Sequence, residues 1–151
     1  MKKIIMAIIC AAFFALPAAA QGINDKADNI IGEYLTDRGG SKSKVRVTKN
    51  ADGTYDAQVF WVENPMGKDG KKRKDVKNPD KSLRSTPADR SVIFSGLKYD
   101  ARKHEWNGTK IYDPQRGVRA KLVAEFADDG RLALTGSVLV ISETVYWKKI
   151  K

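Results

Sequence analysis

Very few side chains in this sequence suit covalent or metal chemistry. There is one histidine, His104, and one cysteine, Cys10. A zinc or redox site needs several such ligands converging, and an activated nucleophile needs an adjacent base. His104 sits in Arg102-Lys103-His104-Glu105, a polar stretch that reads as an exposed turn. Ser95 and Ser142 lack the strand–turn–helix setting of a nucleophilic serine. Several acids stand at turns, as in Asp52-Gly53, Asp69-Gly70 and Asp129-Gly130, where they shape the backbone. These residue types predict no enzymatic activity, no metal and no cofactor.

What remains is the chemistry of binding. Tyr34, Tyr55, Trp61, Trp106, Tyr112 and Trp147 fall on predicted strands. Aromatics at strand spacing either fill a small barrel or line an apolar pocket, and both readings stand. Residues 68–84 hold eight basic side chains (Lys68, Lys71, Lys72, Arg73, Lys74, Lys77, Lys81, Arg84) against Asp69, Asp75 and Asp80. Such a cluster either attracts phosphates and anionic headgroups or is a solvated loop. No aromatic interleaves with these lysines, as stacking on single-stranded nucleic acid would require, so nucleic acid is not an expected partner. Asn78-Pro79-Asp80 reads as a helix start, with Asn78 as the cap, Pro79 at the first position and Asp80 favourable to the dipole. Arg84, one turn on, is placed to pair with Asp80 or to reach a ligand at a pocket mouth. The candidate ligand contacts are Tyr34, Trp61, Arg84, Trp106 and Tyr112.

The elements that must position these residues are strands. Lys44-Val45-Arg46-Val47-Thr48 alternates polar and β-branched residues, the mark of a half-buried strand. Asn50-Ala51-Asp52-Gly53 is a hairpin turn. Residues 54–62 follow, with Tyr55, Ala57, Val59 and Trp61 on one face. Strands are also predicted over 30–36, 92–99, 105–112 and 118–126, and a run over 132–147 is long enough for two strands meeting near Ser142. About eight short strands joined by tight turns make an all-β, up-and-down antiparallel barrel. In a closed barrel the last strand, ending Tyr146-Trp147, pairs with the first. Residues 63–90 break the alternation. Their middle, 67–74, has no apolar residue to bury and is expected to be mobile. Asn78 to Arg84 is expected to be an ordered short helix anchored by Leu83.

The chain has 151 residues, a net charge of +10 and 42% hydrophobic residues, enough for one domain with a real core. Lys2 and Lys3 precede an apolar run over 4–16, then Pro17 and Ala18-Ala19-Ala20. This is the three-part pattern of a secretory signal, too short for a membrane span. Cleavage is expected after Ala20, leaving residues 21–151 as a single barrel domain that is periplasmic or secreted. Ile9 before Cys10 does not fit a lipidation site, so no lipid is expected there. No later segment approaches transmembrane length.

Several stretches together resemble a known family. They are Gly32-Glu33-Tyr34, Trp61-Val62-Glu63-Asn64-Pro65, Asp75-Val76-Lys77-Asn78-Pro79-Asp80, Leu83-Arg84, Pro87, Gly96-Leu97, and Trp106-Asn107-Gly108-Thr109-Lys110-Ile111-Tyr112-Asp113-Pro114. In this order they resemble the exported bacterial family catalogued as domain of unknown function 2147, over nearly all of the chain after the signal. Tyr34 stands where that family often has Trp. The resemblance implies a small barrel similar to lipocalins and fatty-acid-binding proteins, and it implies no catalytic residue.

The expectation is therefore an exported, non-enzymatic β-barrel binding protein for an apolar or amphipathic anionic small molecule of the cell envelope. The alternative is an envelope interaction protein with a filled core and no ligand, whose partner is another envelope protein.

Overall fold

The computed structural model describes residues 22–151. The signal-like segment over residues 1–20 and Cys10 lie outside the described residues. Nine β-segments form the fold: β1 (Gly32–Arg38), β2 (Ser41–Lys49), β3 (Tyr55–Val62), β4 (Val92–Asp100), β5 (Glu105–Asn107), β6 (Lys110–Asp113), β7 (Val118–Phe126), β8 (Leu132–Val138) and β9 (Ile141–Lys149). Sequential neighbours pair antiparallel from β1 to β5 and from β6 to β9. β1 also pairs β9, and β5 pairs β7, which closes the sheet into a barrel. β5 and β6 are two halves of one strand broken at Gly108, whose φ of +86° an L side chain rarely adopts. Counted so, this is an all-β, closed barrel of eight antiparallel strands. Among the described residues, no helix is long and apolar enough to cross a membrane.

Three boundaries differ from the sequence reading. The first strand begins at Gly32, because Ala27–Ile30 winds into a 3-10 turn. The last hairpin turns at Leu139-Val140, not near Ser142, since β8 and β9 pair up to Val138 and Ile141. β9 reaches β1 through Lys148 and Lys149, not through Tyr146-Trp147.

The alternation along β3 also breaks. Lys44 pairs with Trp61 while the adjacent Val45 pairs with Val59, so Phe60 is an extra residue on β3. A bulge re-aims the side chains beyond it. Tyr55, Ala57 and Val59 stay buried, but Trp61 turns outward, 38% exposed, with the Lys44 ammonium over its ring.

One end of the barrel, here the lower end, is stoppered by the N-terminal segment. Ile30 is fully buried, and the Tyr34 hydroxyl donates to its carbonyl at 2.7 Å. Trp106 Nε1 donates to the Ala27 carbonyl at 3.0 Å and the Tyr99 hydroxyl to the Asn24 carbonyl at 2.6 Å. Asn24 exchanges two hydrogen bonds with the Phe126 backbone. The Tyr55 hydroxyl and Lys49 ammonium both donate to Asp28, and these contacts hold its carboxyl below the usual range. Above the stopper, Trp106 meets Phe126 edge-on and Tyr99 at a tilt, while Trp147 lies between Tyr34 and Phe94. Buried aromatics with a satisfied polar end add specific geometry to their large apolar area.

The upper end carries the turns after β1, β6 and β8 and the long 63–91 connection. That connection is held by hydrogen bonds rather than by a helix or an apolar anchor. Residues 65–73 fold back on themselves, with Gly67 N–H donating to the Lys71 carbonyl and Arg73 N–H to Pro65. Asp75 N–H donates to Thr86 and Ala88 N–H to Arg73. The expected short helix is a lone 3-10 turn, Lys81–Leu83, capped by Asp80 rather than Asn78. Leu83 is exposed and anchors nothing. The buried anchors are polar, Asp75 and Asn78. At Gly117 a Cβ would collide with the Lys77 carbonyl, so the β6–β7 turn and the long connection touch backbone to backbone. Lys77 Nζ adds a hydrogen bond to the Gln115 carbonyl at 2.8 Å.

Candidate functional site

β1 and β9 pair only at Tyr34–Lys149 and Leu35–Lys148. Beyond Leu35 the two strands part. Their separation opens a cavity of about 300 Å³ in the upper half of the barrel. Val45, Val59, Ile93, Ile111 and Val145 supply apolar walls, and Trp147 closes the space below. These residues are the inward-facing positions of β2, β3, β4, β6 and β9; of the five, only Val45 and Val59 lie in the alternation read from sequence.

The polar groups of the cavity come from the long connection. Asp75 is buried, and one of its carboxylate oxygens accepts from the Tyr112 hydroxyl at 2.6 Å. The other accepts from Asn78 Nδ2 at 2.8 Å. Burial first, and the Asp75 carboxylate second, push the Tyr112 hydroxyl far above its ordinary range. With both oxygens occupied, Asp75 acts as a fixed acceptor and a tether. Ser91 is 1% exposed, lines the cavity, and its hydroxyl has no hydrogen-bond partner among the described residues. A buried hydroxyl without a partner is costly, and it is a ready contact for a polar atom entering the cavity.

Charged side chains span the parted seam at the mouth. Arg38 on β1 pairs with Asp113 at 2.9 Å and with Glu143 on β9 at 3.4 Å. Arg116, on the β6–β7 turn, pairs with the same Glu143 and holds its carboxyl below the usual range. Arg73 and Lys74 reach the rim from the long connection. A second groove, of about 560 Å³, shares Asp75, Ser91 and Ile93 with the cavity and is lined by the connection, β4, Lys110 and Arg119.

Of the five side chains singled out from sequence, Tyr112 lies in the cavity wall. Tyr34 and Trp106 are fully buried lower down, where both donate to the stopper. Trp61 is on the outer surface. Arg84 is exposed and donates to the Asn78 carbonyl at 2.8 Å, not to Asp80. The sequence reading missed Asp75, Ser91 and the Arg38–Glu143 pair. The available signal for Asp75 was its place in the stretch Asp75 to Asp80 behind the family resemblance, and Ser91 had none. His104 sits at the lower end beside Asp25. Among the described residues, no group of three or more His, Cys, Asp or Glu could hold a metal.

Two of the sequence stretches behind the family resemblance meet here, because the Asp75–Tyr112 bond joins 75–80 to 106–114. A family model described as an uncharacterized protein conserved in bacteria, DUF2147, matches residues 32–149. The chain belongs to the DUF2147 family. No curated protein matches it. Among solved structures, this DUF2147 chain is similar to HP1028 of the human pathogen Helicobacter pylori, described as belonging to the lipocalin family. The two share 26% identity with a TM-score of 0.62, over 80% of this chain and 82% of that one. The DUF2147 barrel is thus lipocalin-like in fold.

Proposed function

We propose that this DUF2147 protein is exported, loses residues 1–20, and binds an apolar or amphipathic small molecule in the envelope. The carrying observation is the cavity of about 300 Å³ left open where β1 and β9 part. That volume is at the lower end of the roughly 300–1,000 Å³ common for small-molecule sites, and its aliphatic walls beneath a polar, charged mouth suit a ligand with both an apolar and a polar part. The lipocalin-like neighbour supports the same reading. An apolar ligand segment lies over Trp147 among Val45, Val59, Ile111 and Val145. An anionic head stays at the rim near Arg73 and Lys74, away from the Asp75 carboxylate, while a neutral polar atom of the ligand meets Ser91. The filled-core reading draws its support from the lower half, where Tyr34, Trp106, Leu122 and Leu132 leave almost no exposure.

A dansyl-labelled fatty acid tests the proposal. Saturable binding with a blue-shifted emission is expected, and Thr36→Trp, which fills the parted seam, abolishes it. No binding, or binding unchanged in Thr36→Trp, favours the filled-core reading. Export is tested by sequencing the protein from a periplasmic fraction. It should begin at Gln21 with no acyl group at Cys10, and a chain still carrying Met1 would refute it.

A further inference from the structure

The strongest unexplained feature is the tip of the β8–β9 hairpin. Val138, Leu139, Val140 and Ile141 are consecutive apolar residues with exposures of 51, 98, 97 and 74%. Nothing in the fold covers them. Their chemistry also works against the turn they make. Leu139 has a φ of +54°, a left-handed conformation that two-residue hairpins usually assign to Gly or Asn. A Leu-Val pair at this position forgoes both favourable turn chemistry and solubility, so its use lies outside the fold.

We propose that this tip docks the open end of the barrel onto an anionic lipid bilayer. A two-residue turn with its two flanking residues is a convex knob. It is far smaller than the roughly 1,200 Å² of total area buried in a stable protein–protein contact. A fluid bilayer accepts such a knob without a preformed pocket, much as interfacial helices bury an apolar face at the acyl boundary. Charge selects the kind of bilayer. Lys121 on β7 stands opposite Ser137, two positions from the turn apex, and Lys110 stands opposite Lys121. Both lysines are exposed, and neither forms an ion pair among the described residues. Lys68, Lys71 and Lys74, on the long connection at the same end, are likewise exposed and form none there. Lys121 and Lys110 stand on the strands next to the knob, and the lysines of the connection stand on the β3–β4 side of the same end; basic residues near an anionic surface add attraction that salt screens. The cavity mouth opens at this end too, so docking brings it to the lipid surface. The docking does not depend on the cavity holding a ligand.

The test uses the chain from Gln21 onward, which contains every strand and the stopper, with sedimentation on two kinds of vesicle. One kind mixes phosphatidylglycerol with phosphatidylethanolamine, and the other is phosphatidylcholine alone. Binding to the anionic vesicles only is expected, weakened by salt. Leu139→Ser combined with Val140→Ser should lower partitioning at least tenfold with an unchanged melting temperature, because both side chains are fully solvated. Lys110→Ser with Lys121→Ser should lower it less and flatten the salt dependence. Val140→Trp should emit at shorter wavelength with anionic vesicles. Absence of vesicle binding, or equal binding by the Leu139/Val140 variant, overturns the proposal. Concentration-dependent dimerisation that the same variant abolishes, without vesicle binding, also overturns it and assigns the tip to a second copy. Vesicle binding without uptake of the dansyl fatty acid leaves the docking standing while the cavity reading falls.

Discussion

The two ends of this barrel solve the same problem in opposite ways. Each end of a small barrel exposes backbone polar groups and the ends of the core. At the lower end the chain covers them with a short stopper, and three of the aromatics above it donate to its backbone: Tyr34 to Ile30, Trp106 to Ala27, Tyr99 to Asn24. At the upper end a connection of nearly thirty residues arches over the opening. Its buried tie is the Asp75 carboxylate, shared between Tyr112 of the barrel and Asn78 of the connection itself, and Lys77 adds a contact with the β6–β7 turn. The lower end is apolar packing with polar ends satisfied. The upper end is a polar tether over a space not filled. Apolar packing is non-directional and degrades gradually, whereas a buried polar network depends on each member. Stability therefore belongs to the stopper, and adaptability to the arch.

Four measurements sharpen or break that contrast. The largest effect is expected for Trp106→Ala. The side chain is fully buried between Tyr99 and Phe126, so chemical denaturation should register a loss of about 3–5 kcal/mol. A loss below about 1 kcal/mol would mean that the stopper end is not where stability resides. Tyr112→Phe comes next. It leaves a buried Asp75 oxygen without its donor, worth about 1–3 kcal/mol. Its distinctive readout is limited proteolysis with a Lys/Arg-specific protease. Cutting within 68–84 should accelerate while the barrel fragment persists, and an unchanged pattern would show that the tether does not hold the arch.

The third concerns acid. Lys49 and Tyr55 hold the Asp28 carboxyl below its ordinary value in the folded chain. A carboxyl lowered by folding contributes stability that is complete above its unfolded pKa, about 4. That contribution disappears as pH falls through the lower folded value. Asp28→Asn should thus lower the melting temperature modestly near neutrality and converge with the parent chain in strong acid. Parallel curves at all pH would remove Asp28 from the stopper's account. The smallest effect belongs to Ser91→Ala. It removes a buried hydroxyl that makes no hydrogen bond within the described residues, so stability should hold or rise by less than about 1 kcal/mol. A marked loss would show that Ser91 is a structural member of the arch. Weaker uptake of a ligand with unchanged stability would place it in the site.

Much of the strand plan was legible in the sequence, because inward residues alternate at period two and Gly-bearing turns separate the runs. Lys44 to Thr48 and residues 118–126 fall where alternation predicts. The legibility failed where local chemistry and tertiary need disagreed. A Leu-Val turn carries no turn signal, so the residue pattern points toward Ser142 while the hairpin turns at Leu139-Val140. A bulge at Phe60 reverses Trp61 without any mark in the residue pattern. Asn78-Pro79-Asp80 has the letters of a helix start, yet Asn78 spends its amide on Asp75, and Asp80 caps a single turn.

The sequence by itself determined the class of the molecule: all-β, antiparallel, barrel-forming and poor in catalytic side chains. Period, turn chemistry and composition are local properties that each stretch of chain carries alone. Only the tertiary structure decided which aromatics stopper and which line, that β1 and β9 part after Leu35, and that Asp75 meets Tyr112 across thirty-seven positions of chain. The physical reason is that a cavity is made by pairings not formed. No residue's type records that its neighbour across the sheet will be missing. Such an opening exists only once the remaining strands have closed around it.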